Sequence, residues 1–517
     1  MNLTSIIRTG FSETELIWII IAFVIGVFSI ILFIRRRYKM SLLMLTASGL
    51  ILRILIGGID PFLSTWDEQF HALVAKNMMT DWFKPMLIRN PVLDYDYQNW
   101  TANHIWLHKP PWFLWQISLF FTLFGVNELV LRMPTILMMT LLIPIIFRIG
   151  KLISTEHIAW YGAFLYTYSF FFIHFVSGAL FTDHNDSATI FYISLSIWAW
   201  LEYTRNNKRI WVIWIGLFAG IAILNKWLVG LLVYFGWFVS LIIHLRGTEW
   251  KKELANFGMA LLITIIVALP WQLYSWIRFP QEYWYVFHFN NGRHFFEALD
   301  GHAENRWYYF YLLMQEYGGL LVVFIILPGL YWFTRSIRSK KHKTAILSYL
   351  VITYLFFTLT ATKMPMYCTI VTPFIFLPLG AFVEKGIEWF ITWIPARFTT
   401  ISVIMVLCFV AYWNLDIHKL DNFHSNKNPF WKEKKAITTK FKNVIRELKP
   451  GYDVFFNCKG YEAIIFVFYS GITAYGHYPS EEQYLMLKTK KIRMATFQDQ
   501  NIPAYLYNDP EVLKIPL

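Results

Sequence analysis

Two carboxylates, Asp67 and Glu68, stand side by side in STWDEQFHALVAKNM, residues 64–78, with His71 one turn further on. A carboxylate can take a proton from a hydroxyl, hold a cation, or cap a helix. Adjacent side chains on a helix point in different directions, so the two acids cannot share one task. One is explained by the favourable field at a helix start, with Ser64 or Thr65 as N-cap, and the other is left needing a reason. Further along stand HKPPW (108–112), TDHND (182–186), Lys226, Arg293, His302 and KMPMY (363–367). Lys109 precedes a Pro pair suited to the first turn of a helix, so its ammonium adds to a positive helix end and suits an anion such as phosphate. Glu68, His108 and His302 are ligand types for a divalent metal such as zinc or manganese, without the spacing of a known metal motif. For each residue the plain alternative is local pairing or snorkelling at a membrane surface.

The elements that must position these residues are read from composition. The 517-residue chain is 56% hydrophobic, 19% aromatic and 15% charged. A soluble chain carries about 25% charged residues. Apolar runs of bilayer-spanning length recur along the chain, so it reads as an α-helical polytopic membrane protein. The start, MNLTSIIRTGFSETE, lacks the pattern of a cleaved signal peptide, so the first apolar run is expected to stay as a membrane helix. The net charge of +13 does not indicate nucleic acid, because the basic residues sit in short loops between spans. Of three cysteines, Cys368 and Cys408 lie in apolar runs and Cys458 in a polar one, with no zinc or disulfide spacing.

Twelve spans are expected, at 15–36, 41–59, 129–150, 157–181, 186–203, 210–224, 228–245, 255–277, 308–333, 344–361, 367–383 and 398–414. The basic stretches near 35–39, 148–151, 204–209, 244–252 and 334–343 fall in every second loop, which assigns them to the cytoplasm. Asp67, Glu68, His71, His108, Lys109, Asp183, His184, Asp186, Lys226, Arg293, His302 and Lys363 then all face the outer side. Intramembrane or near-membrane charges grouped on one side point to function. The expected organisation is an extra N-terminal helix in 1–40, a membrane domain over 41–414 with an outer loop at 60–128, and a small extracytoplasmic α/β domain over 415–517. In the outer loop, 67–82 and 111–124 read as interfacial helices. In the tail, YDVFFNC, EAIIFVFYS, RMATFQ and PAYLYN read as strands and EEQYLMLKTKK as a helix.

Several of these stretches, in order, resemble the GT-C superfamily of membrane glycosyltransferases. The similarity is to the branch of protein O-mannosyltransferases and lipid A aminoarabinose transferases. DEQFHALVAKNM resembles that family's first acidic motif, HKPPWFLWQISLFFTLFGVNELVLRMP its Lys-Pro-Pro block, and NDSATIFYISL its second acidic motif. GIAILNKWLVG, WYYFYLL and TATKMPMYCTIVTP continue the resemblance, which covers about residues 45–380. It departs at His108, where lipid A transferases tend to carry an acid, and at TDHND, where spacing to Phe191 and Tyr192 favours Asp186 over Asp183 as the match. The run at 15–36 looks like an additional helix, and no WWD motif of oligosaccharyltransferases is found.

The resemblance implies an inverting transfer from a polyprenyl-phosphate sugar to an acceptor hydroxyl or phosphate, on protein, lipid A or a cell-envelope glycan, at the outer face of the cell membrane. It implies Asp67 as base, with Glu68 and Asp186 positioning acceptor or metal. Lys109, Arg293 and Lys363 would hold phosphate, and Asp183, Tyr367 and His302 would complete the substrate site. The rival readings are a lipid-linked sugar transporter, which would place charges nearer the bilayer midplane, and a non-catalytic envelope assembly subunit.

Overall fold

The first elements form for reasons visible in the chain. Helix Glu13–Ile34 opens on a capping box: the Ser12 hydroxyl accepts from Glu15 N and the Glu15 carboxylate accepts from Ser12 N. It packs on helix Tyr38–Gly58 through small residues, with Ser29 and Ser41 donating to each other's carbonyl oxygens and the Ser48 hydroxyl donating to Ala22 O. Small polar residues let two helix backbones approach closely in lipid. The computed structural model describes residues 9–99, 101–180, 183–244, 249–299, 301–448 and 450–516.

Among the described residues, seven helices are long and apolar enough to cross a bilayer. The pair Tyr308–Tyr317 and Leu321–Ser336, bent by 92°, makes an eighth at most. That is fewer than the twelve expected. The run 157–181 breaks into helices Glu156–Thr167 and Phe170–His174, both mostly buried in protein. Helix Asp183–Asn206 is long enough, but Ser187, Thr189, Ser194 and Ser196 on it are buried among other helices. These runs are apolar because they face protein, not lipid. The stretch Arg209–His244 is apolar throughout, but its helix breaks at Trp227–Leu231, where Gly230 packs back against Ala219 and Ile223. The Thr264 hydroxyl lies between Gly216 O and the Tyr234 hydroxyl, which sets helices Arg209–Lys226 and Leu232–His244 side by side.

Charge is segregated. Tyr38 bonds His157, Arg148 bonds Glu202, Ser154 bonds Ser336, Thr204 bonds His342 and His244 bonds Thr344. These contacts gather the basic stretches at one end of the bundle. Asp67, Lys109, Asp186, Lys226 and His302 lie at the other end.

The tail carries a four-stranded parallel sheet of β1 (Val454–Phe456), β2 (Thr473–Ala474), β3 (Met494–Gln498) and β4 (Leu513–Pro516), in the order β2-β1-β3-β4. EAIIFVFYS, read as a strand, is the helix Glu462–Ser470. It is sandwiched: Phe466 packs on Phe455 and Phe497 of the sheet, and Phe468 on Phe121 of the membrane part. A helix buried on both sides loses the amphipathic period that would betray it. PAYLYN likewise holds the short helix Ala504–Tyr507.

Candidate active site

Helix Asp67–Met78 is not interfacial. Every residue in it except Lys76 is buried, because helix Glu462–Ser470 covers it and Phe468 O accepts from Lys76 at 2.5 Å. Its start has no side-chain cap. Instead Trp66 occupies φ 63°, ψ −124°, a conformation unfavourable for a bulky residue, and turns the two acids in different directions.

Glu68 turns inward. Its carboxylate accepts from Arg132 Nε at 2.7 Å, Arg132 Nη2 at 2.9 Å and Ser64 N at 2.6 Å. Arg132 spends its other donors on the carbonyls of Gly57, Asp60 and Phe62. Burial alone would raise the Glu68 pKa, but Arg132 and His184 hold it down at about 2. Glu68 is thus a buried carboxylate paired with Arg132 and does not line the cavity, whereas the sequence suggested a place at acceptor or metal. Gly178, at φ +79°, makes room for it: a Cβ there would sit 1.9 Å from Glu68 Oε1.

Asp67 turns outward, toward a cavity of about 900 Å³. Its Oδ2 is buried, accepts no hydrogen bond, and lies 3.9 Å from Lys109 Nζ. Lys226 lines the same cavity, ion-pairs with Asp186 and lies 4.7 Å from the centre of the Tyr367 ring. Lys226 closes its helix against Trp227, which at φ 54°, ψ −145° is a second tryptophan in an unfavourable conformation beside a cavity charge. Strain of this kind concentrates at functional sites. His108, His294, His302 and Tyr367 complete the polar wall. Burial, and then the charges of Lys109 and Lys226, hold the His294 pKa down at about 4, so it stands neutral. The cavity also has an apolar stretch, lined by Leu228, Leu232, Phe235, Ile352, Phe356 and Phe357, the last packed on Tyr367.

Other expected site residues fall elsewhere. Arg293 forms an exposed ion pair with Glu297 and does not line the cavity. Lys363 turns its ammonium to Thr360 O, also off the cavity wall. Asp186 is buried behind Lys226. The Asp183 side chain lies outside the described residues. Glu68, His108 and His302 do not converge, and among the described residues no three His, Cys, Asp or Glu side chains form a metal-binding group. The residues therefore do not fit the metal they suggested in sequence.

Two contributors, Arg132 and Tyr461, escaped sequence reasoning, and Lys226, grouped on the outer side there, had no assigned role. Arg132 sits in the apolar run ELVLRMPTILMM, where an intramembrane charge is itself a signal that a partner exists. Lys226 carried the same signal. Tyr461, from the tail, lines the cavity and left no local trace.

The geometry has relatives. The family model described as "Dolichyl-phosphate-mannose-protein mannosyltransferase" matches residues 108–274. The chain is 26% identical over 281 residues to the undecaprenyl phosphate-alpha-4-amino-4-deoxy-L-arabinose arabinosyl transferase of Pseudomonas savastanoi pv. phaseolicola, covering 52% of this chain and 50% of that one. It is 26% identical over 304 residues to an uncharacterized protein of Aquifex aeolicus, covering 58% and 56%. The match thus spans about half the length of these curated relatives. The structure is similar to that of ArnT from Cupriavidus metallidurans bound to undecaprenyl phosphate, with a TM-score of 0.67, 14% identity, and 87% and 88% of the two chains covered. It is less similar to the oligosaccharyltransferase AglB of Archaeoglobus fulgidus, with a TM-score of 0.53, 11% identity, and 84% and 64% covered. The chain has the fold of the GT-C membrane glycosyltransferases. Within that class its similarities are to the mannosyltransferase and aminoarabinose transferase branch.

Proposed function

We propose that this protein is an integral-membrane inverting glycosyltransferase that moves a sugar from a polyprenyl-phosphate donor to an acceptor hydroxyl. The reading further places the reaction on the outer face of the cell membrane, with the basic end of the bundle in the cytoplasm. One observation carries it: a single cavity joins an underbonded carboxylate, two lysines and an apolar groove.

The chemistry follows from that order. The donor's lipid chain lies in the groove of Leu232, Phe235 and Phe356, where burial of apolar surface holds it. Its phosphate meets the ammonium groups of Lys109 and Lys226. The acceptor hydroxyl attacks the anomeric carbon from the Asp67 side. Its proton passes to the Asp67 carboxylate as the new C–O bond forms. The bond from the anomeric carbon to the phosphate oxygen breaks, and the electron pair leaves on the lipid phosphate. Lys109 and Lys226 stabilise the charge that grows there. One displacement inverts the anomeric centre and needs no covalent intermediate.

The experiment is reconstitution of the full chain with radiolabelled undecaprenyl-phosphate sugars and envelope acceptors. Transfer of label that is abolished by Asp67→Asn supports the reading. Movement of labelled donor across the bilayer without transfer, unaffected by Asp67→Asn, would establish a transporter instead.

A further inference from the structure

The two ends of the cavity differ in kind, and only one is used by a lipid-phosphate donor. Contacts link the wall stepwise: Trp66, against Tyr461, precedes Asp67 in the chain, Asp67 lies 3.9 Å from Lys109, and Lys226 lies 4.7 Å from the centre of Tyr367, which packs on Phe357 of the groove. In a displacement with inversion the nucleophile and the leaving phosphate stand on opposite sides of the anomeric carbon. With phosphate at the lysines and Asp67 as base, the acceptor belongs beside Asp67, where Trp66 and Tyr461 stand.

Those two rings are unlike the buried Phe70 and Trp106 behind them, and unlike the exposed Phe235 and Phe356 of the groove they carry polar N–H and O–H groups. Trp66 is 43% exposed and Tyr461 47% exposed, their centroids 5.4 Å apart and their planes tilted by 49°. Large aromatic faces left in water at a cavity wall mark a recognition surface. Trp66 is presented at a cost, Tyr461 by a left-handed turn. Trp66 sits at positive φ. Tyr461 follows Lys459 at φ 48° and Gly460 at φ 58°. Phe70 backs Tyr461 edge-on from below, at 6.3 Å. The rings come from two distant segments, so the platform exists only when the tail is docked on the membrane part. Thr101 lines the wall with them and supplies a hydroxyl for hydrogen bonding.

Tilted, exposed aromatic faces with a neighbouring hydroxyl suit the flat, C–H-bearing face of a sugar ring, which presents apolar hydrogens on the face and hydroxyls at the edge. We propose that Trp66 and Tyr461 form a stacking platform for a sugar ring of the acceptor, so that the acceptor is a saccharide and not a peptide hydroxyl. This rests on the reading of the cavity as a lipid-phosphate sugar site.

The test uses the full chain in lipid nanodiscs. Saturation-transfer NMR with chitobiose, and separately with a short Ser/Thr-rich peptide, reports which probe touches the protein. Retention of radiolabelled undecaprenyl phosphate reports the donor end and the fold. Expected is saturation of the ring C–H protons of chitobiose, falling about tenfold in Trp66→Ala and in Tyr461→Ala and kept in Trp66→Phe, with undecaprenyl phosphate retention unchanged. Tyr461 lies at the surface of the tail, so its variant supplies the answer should Trp66→Ala fail to fold. Undiminished saturation in the Tyr461→Ala variant, or saturation of the peptide but not of chitobiose, would overturn the platform. Failure of the wild-type chain to retain undecaprenyl phosphate would overturn the donor reading, and with it the assignment of the stacked ring to an acceptor.

Discussion

Asp67 and Glu68 are neighbours in sequence, and the structure separates them completely. Glu68 is dry, accepts three hydrogen bonds at 2.6–2.9 Å, and neutralises an arginine whose other donors are also filled. Asp67 stands at a cavity wall with one buried oxygen lacking a hydrogen bond and its nearest lysine at 3.9 Å. A carboxylate whose lone pairs are all engaged can only hold structure. One with capacity left over can take up a proton. The degree of saturation, not the residue type, distinguishes the two acids.

That contrast can be broken from either side. Asp67→Asn keeps the shape and removes the base, so transfer in the reconstituted assay should fall about 10²–10⁴-fold while the thermal midpoint stays put. Arg132→Ala should do the reverse. It strands a buried carboxylate, at about 3–5 kcal/mol, and should appear as loss of folded protein in membranes and in thermal denaturation. At the cation pair, Lys226→Met should lower the rate by about 10²–10³-fold, because charge growing on the leaving phosphate loses a partner. A smaller effect is expected at Gly178→Ala. The added methyl meets the Glu68 carboxylate at a left-handed position, and about 1–3 kcal/mol of stability should be lost, read as a lowered thermal midpoint. The smallest concerns pH. The Glu68 pKa is depressed from 4.5 to about 2 in the fold, so its contribution is fully present above pH 4.5 and is lost only as pH falls toward 2. Thermal midpoints should therefore be insensitive to this group between neutrality and pH 5, and Glu68→Gln should flatten the acid limb.

Much of this was legible in the chain. The grouping of Asp67, Lys109, His302 and Tyr367 at one end follows from where apolar runs stop and which loops are basic. The membrane class follows from composition, and β1, β3 and the helix Glu481–Thr489 from local pattern. Which acid faced the cavity was not legible, because the choice is made by the backbone of Trp66 and by an arginine 64 positions away. Which apolar helices cross the bilayer was not legible, because a buried helix and a lipid-facing one share the same apolar composition. Tyr461 was invisible for a different reason: its place depends on docking of the tail.

That docking is extensive. Asp60 accepts from Trp431 and pairs with His424, Glu128 accepts from Lys442 and Tyr469, and Tyr475 accepts from the backbone of Val92 and Leu93. The tail is thereby a roof over one end of the cavity, and the groove at the other end is built wholly from the bundle. In the proposed reaction the tail therefore bears on the acceptor end, through Tyr461, and not on the groove. Under that proposal, substitution in the tail would alter the acceptor end and leave the groove intact, so acceptors could diversify by descent around a fixed donor.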